Sequence, residues 1–157
     1  MKFLPAFCLS LLIVSPCIAG DVQYRTGGTG FNKTWYAFYA GGDHEPDIDD
    51  PLIARGRPMV PAICAAIRHK DMKRRRYAIG ALGYIGDKRA LPTLEAILKD
   101  GTEIDYFRGD ALHSIYQLDR KLGLRYAKQY QHENEYLTMV SGAVLKQEPW
   151  LLEATEE

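Results

Sequence analysis

Three stretches of the chain carry side chains suited to chemistry. Gly27-Gly28-Thr29-Gly30-Phe31-Asn32-Lys33-Thr34 has the glycines, lysine and threonine of a phosphate-cradling loop. Gly41 to Asp50 holds five carboxylates and His44, an oxygen-rich set of the kind calcium takes. Arg68-His69-Lys70-Asp71-Met72-Lys73-Arg74-Arg75-Arg76 is the densest cationic run.

Each stretch falls short of the chemistry it suggests. A phosphate loop needs glycine directly before its lysine, and this chain has Asn32 there. It also needs a preceding strand within a parallel sheet, and only a few residues separate this one from the N-terminal apolar segment. No nucleotide or other cofactor is expected. The glycine run reads as a flexible loop at the entrance of the domain. Counted from Asp43 as an EF-hand, the sixth position is Ile48 and the twelfth Ala54, where glycine and glutamate belong. The segment reads first as a solvated acidic loop ending in a helix cap, then as an acidic patch facing a partner, and last as a calcium site.

The cationic run has two readings. One is a solvated helix junction. The other is an electropositive edge that attracts an acidic protein or anionic lipid, with Lys73, Arg74, Arg75 and Arg76 as contact residues. His44, His69, His113 and His132 have no zinc-ligand spacing. Asp110 precedes His113 by one helical turn, which fits a surface ion pair as well as a general base. No serine sits in a Gly-x-Ser-x-Gly elbow. No catalytic, cofactor-binding or metal-binding residue is assigned, and a non-enzyme is expected.

The compartment follows from the first residues. MKFLPAFCLSLLIVSPCIAG has an early lysine, an apolar run from Leu9 to Val14 and small residues at Cys17 and Ala19. That is the layout of a secretory signal over residues 1–19, and its apolar core is short for a membrane span. Cleavage after Ala19 leaves about 138 residues, enough for one domain with its own core. Pro16 makes a poor lipidation site of Cys17. Cys64 is then the one remaining cysteine, in the apolar setting of a buried, inert thiol. Lysine plus arginine equals aspartate plus glutamate, 20 each, so loss of Lys2 leaves a slightly acidic chain. A periplasmic or secreted location is expected, and with it neither nucleotide nor nucleic acid as a partner. Membrane association is possible but is not called for.

The elements that position these side chains are helical. Val60, Ile63 and Ile67 are spaced for one helix face. So are Ala78, Leu82 and Ile85; Leu91, Leu94 and Leu98; and Ile104, Phe107, Ala111, Ile115 and Leu118. Only Thr34 to Tyr39 hints at period two. Gly86-Asp87 and Asp100-Gly101 punctuate the helices, and Asp49 or Asp50 caps one opening on Pro51. Val60-Pro61 to Lys70-Asp71 resembles Leu91-Pro92 to Lys99-Asp100 at an offset of 31, and Ala81-Leu82 pairs with Ala111-Leu112 at 30. Repeats of that length signal stacked helix pairs. Gly80, Gly83 and Gly86 weaken a lone helix, which is tolerated where another helix approaches closely.

Ala81-Leu82-Gly83-Tyr84-Ile85-Gly86-Asp87-Lys88-Arg89-Ala90-Leu91-Pro92-Thr93-Leu94 resembles the core of a bacterial HEAT-like repeat of about 30 residues. The second copy has lost both glycines. The resemblance covers residues 51–130. It implies an all-α, right-handed short solenoid with a binding role and no catalytic residues. Residues 20–50 form an aromatic cap and acidic loop, and 131–157 a helical cap and tail. Trp35, Tyr36 and Tyr39 either seal the first helix pair or meet a partner. The function expected is non-catalytic protein binding in a bacterial envelope, with an immunity or inhibitor protein against a periplasmic toxin as its sharper form. The alternatives are an enzyme or enzyme accessory related to HEAT-like lyases, and a structural component of the envelope.

Overall fold

The computed structural model describes residues 24–41 and 50–152. The signal-like residues 1–19, the acidic stretch 43–49 and the glutamate-rich tail 153–157 lie outside the described residues. Eight α-helices are described: α1 (Asn32–Ala40), α2 (Pro51–Arg55), α3 (Val60–Ala66), α4 (Arg75–Ile85), α5 (Leu91–Lys99), α6 (Asp105–Leu118), α7 (Arg120–Tyr130) and α8 (Glu135–Lys146). Short 3-10 turns precede α1, α3 and α5, and another follows α8. No strand occurs among the described residues.

The fold is a short α-solenoid. Helices α2, α4, α6 and α8 pack in succession as one row, and α5 and α7 each pair with a row member as a second layer. Helix α6 is central and touches α4, α5, α7 and α8. Helix α8 packs on both α6 and α7, so the stack runs past residue 130 to residue 146. At the other end α1 packs on α2, which packs on α4.

Local chemistry explains the boundaries. Asp50 caps α2 by accepting a hydrogen bond from the Leu52 amide at 2.8 Å, with Pro51 in the first turn. Asp119 does the same for α7 through Leu122 at 3.0 Å. Gly86 ends α4 with φ 72°, a left-handed conformation that glycine adopts without strain. Gly83 and Gly123 allow close approach. A Cβ on Gly83 would meet Ser114 Cα of α6 at 3.0 Å, and one on Gly123 would meet Tyr116 Cα at 2.6 Å.

Most of the helical spacing places residues as it predicts. Val60, Ile63, Ile67, Ala78, Leu82, Leu94, Leu98, Ala111, Ile115 and Leu118 are all buried. Ile104 departs from its set. It is the cap residue ahead of α6, its backbone is extended, and its side chain is exposed. The period-two hint at Thr34–Tyr39 is overridden, because those residues lie in α1 with Trp35 and Phe38 buried three apart.

Candidate functional site

The glycine-rich segment is an ordered turn rather than a flexible loop. Gly27 and Gly28 have φ of 88° and 83°, and the chain then passes through a 3-10 turn (Thr29–Phe31) into α1, which contains Lys33 and Thr34. Thr26 donates its hydroxyl to the Ala62 carbonyl of α3, and Trp35 Nε1 donates to the Thr26 carbonyl at 2.9 Å. Tyr24 stacks on His69 at 3.8 Å and donates its hydroxyl to Asp71 at 2.8 Å. The segment is therefore stitched to α3 and the turn that follows it.

The three aromatic candidates separate. Trp35 is fully buried, seals the first helices, and presents no surface to a partner. Tyr39 is half-buried and donates its hydroxyl to the Tyr24 carbonyl at 2.8 Å; burial pushes its hydroxyl up to about 12. Tyr36 remains exposed, with Arg25 over its ring at 4.5 Å.

The cationic run does not form a continuous free ridge. Arg75 is buried: its Nε donates to the Ile67 carbonyl at 2.6 Å, its Nη2 meets Glu103 at 2.8 Å, and its guanidinium lies over Phe107. Burial pushes the Glu103 carboxyl up, but Arg75 and the Ile104 amide hold it below its usual value. Arg74, half-buried, donates to the Phe38 carbonyl and lies over Phe38 and Tyr77. Lys70 pairs with Asp100 at 2.8 Å. Lys73 is exposed and has contacts of its own. Arg75 and Arg76 are consecutive residues of α4 and point in different directions, and Lys73 and Arg74 lie in the turn ahead of it, so the linear run does not become a flat patch. These cations bind α3, α4 and the α5–α6 turn together.

Arg76 belongs to a different place. It opens a cleft of about 370 Å³ over the row α4, α6 and α8. Helix α4 contributes Arg76, Tyr77, Gly80 and Tyr84, α6 contributes Asp110 and His113, α8 contributes Tyr136, and the turn after α8 contributes Trp150. Residues 76, 80 and 84 share one α4 face because they are four apart. Asp110 is the hub: its carboxylate accepts from Arg76 Nε at 2.7 Å and from the Tyr136 hydroxyl at 2.8 Å. Arg76 Nη2 also donates to the Tyr136 oxygen at 2.9 Å. Burial pushes the Asp110 carboxyl above its ordinary value, against the pull of Arg76. Burial, with the Asp110 charge, also raises the Tyr136 hydroxyl.

The cleft's far wall comes from the chain's last described turn. Trp150 packs edge-on against His113 at 5.4 Å, and His113 Nε2 lies 3.0 Å from the Leu151 carbonyl. Leu151 is buried while Trp150 is exposed. Asp110 is thus tied to Arg76 and Tyr136 and stays within electrostatic reach of His113, which meets the turn after α8. Tyr106 and Met139 extend the exposed surface beside the cleft, with Tyr106 packed on Tyr136 at 4.7 Å. Among the described residues no group of three His, Cys, Asp or Glu could hold a metal. No helix among them is long and apolar enough to cross a membrane.

Sequence reasoning missed the cleft because its residues come from four segments. Its visible signals are local: the 76–80–84 spacing on α4 and the Asp110–His113 spacing on α6. A family model for the PBS lyase HEAT-like repeat matches residues 74–100, which is α4, the turn at Gly86, and α5. No curated protein and no solved structure matches the chain.

Proposed function

We propose that this chain is a non-catalytic protein-binding repeat protein, and that the cleft over α4, α6 and α8 receives a side chain of its partner. The observation that carries the reading is the convergence of Tyr77, Tyr84, Tyr136 and Trp150 with Arg76 in one open cleft. Tyrosine, tryptophan and arginine dominate binding hot spots, because they bring large contact area with a polar end. The hydrogen bonds from Arg76 and Tyr136 to Asp110 hold two of these side chains in place before a partner arrives. Less ordering is then needed on binding. The HEAT-like match supports a repeat protein, a class that commonly binds other proteins.

The finer reading adds export and a partner in the bacterial envelope. It rests on the sequence of residues 1–19, and the immunity or inhibitor role rests on export of a single small domain. The alternative, an enzyme or enzyme accessory related to HEAT-like lyases, would place its acid and base among Asp110, His113 and the cleft tyrosines.

Site-specific photo-crosslinking tests the proposal. A crosslinker at Tyr84 in the cleft should capture a stoichiometric partner from cells. One at Ala96, exposed on α5, should not. Trp150→Ala should abolish the capture at position 84. Equal capture at both positions, or none at either, would reject the cleft as the binding site.

A further inference from the structure

We infer that the outer face of α7 is an electrostatic docking face for an anionic lipid bilayer. Arg120, Lys121, Arg125 and Lys128 are all exposed, and Leu124 lies half-buried among them. At 3.6 residues per turn these five positions fall within an arc of about 140° and a length of about 12 Å. The opposite side of the helix buries Gly123, Tyr126, Ala127 and Tyr130. The cationic arc therefore points away from the packed side of α7.

The charge is largely uncompensated, although Glu95 acts on Arg125. No acidic residue occurs from Arg120 to His132. Among the described residues none of the four cations forms an ion pair, and Arg125 alone has a ring contact, 5.8 Å over Tyr126. Several surface cations elsewhere are matched: Lys70 meets Asp100, Lys88 meets Asp119, Arg89 meets Asp87, and Lys99 meets Glu95. A chain with no net charge thus concentrates unpaired positive charge on one helix face.

The shape of the face selects the partner. The cations spread over about 12 Å of one helix face. The hollow beside them is open and lined by the same five residues. No aromatic anchor is exposed there, since Tyr126 and Tyr130 are buried. Protein hot spots and single-stranded nucleic acid both call for such a ring. An extended layer of headgroup phosphates needs only surface potential and a shallow apolar contact, which Leu124 provides.

Vesicle flotation of the full chain tests this. Vesicles of phosphatidylcholine with about one-third phosphatidylglycerol should retain the protein, and pure phosphatidylcholine vesicles should not. Replacing Arg120, Lys121, Arg125 and Lys128 together by glutamine should lower partitioning more than about 100-fold, since each cation near the surface is worth about fivefold. Raised salt should have the same effect. Circular dichroism should be unchanged, because these side chains face solvent. The same replacement at Lys33, Arg57, Arg68 and Lys146, also exposed, should leave partitioning nearly intact. Equal retention by neutral vesicles overturns the inference, as does equal loss in the control set. Binding to RNA or to polyglutamate without binding to vesicles would also overturn it.

Discussion

Glu103→Ala should be the most damaging single change in the turn between α5 and α6. Its carboxylate lies 2.8 Å from Arg75 Nη2, and the two side chains are 3% and 2% exposed. Removing it strands a guanidinium in the interior, which costs about 3–5 kcal/mol. For a chain of this size that lowers the melting temperature by roughly 10 °C. Arg75→Met with Glu103→Leu removes both charges, and also removes Arg75 Nη1, a buried donor with no hydrogen-bond partner. The double variant should recover to within about 1–2 kcal/mol of the starting protein. Urea unfolding followed by circular dichroism measures all three, and an unchanged slope shows that the states compared are the same. The pair also has a pH signature. Glu103's folded value is depressed below 4.5, so its stabilisation is complete above that value. It is lost as pH falls through the lower folded value, so the gap between the protein and Glu103→Gln should close in acid. A loss below about 1 kcal/mol for Glu103→Ala would show that Arg75 reaches water, and would restore the exposed cationic ridge.

Two further tests probe packing and reactivity. Gly123→Ala should destabilise by about 1–3 kcal/mol because its Cβ would meet the backbone of Tyr116, whereas Gly142→Ala, with open space around it in α8, should stabilise by about 0.5–1 kcal/mol. Thermal unfolding of the two variants gives opposite shifts, and equal shifts would contradict the close α6–α7 approach. Burial raises the Cys64 thiol above its ordinary value, opposed by its hydrogen bond with Thr93, so labelling at neutral pH should be several-fold slower than for a free thiol. Peptide mapping that finds Cys64 modified as fast as a model thiol would refute the shielding expected from its partial burial.

What the sequence made legible was what repeats along one helix face. The stripes of α3, α5 and α6, the glycine end of α4, and the cap at Asp50 all rest on neighbours within one or two turns. Helix α7 was harder to see, because its buried face is Gly123, Tyr126, Ala127 and Tyr130 and has no aliphatic stripe. The cationic run misleads for a related reason. Linear density of charge says nothing of direction, and Arg75 turns inward while Arg76 faces the cleft. The cleft depends on contacts such as Tyr136 with Arg76, sixty residues apart in sequence. No local pattern encodes such a pair.

The central place of α6 has a consequence for how the molecule comes apart. In a long solenoid each repeat touches only its neighbours, and ends can fray while the middle stays folded. Here one helix touches α4, α5, α7 and α8, so the carboxyl end cannot be released far without exposing it, whereas α1, α2 and α3 pack outside it, on one another and on α4. Helices α4 to α8 should unfold as a single cooperative unit, with the α6 amides exchanging last and at the rate of global unfolding. Hydrogen exchange would read this directly, and the protein would behave as a small globule assembled from solenoid parts.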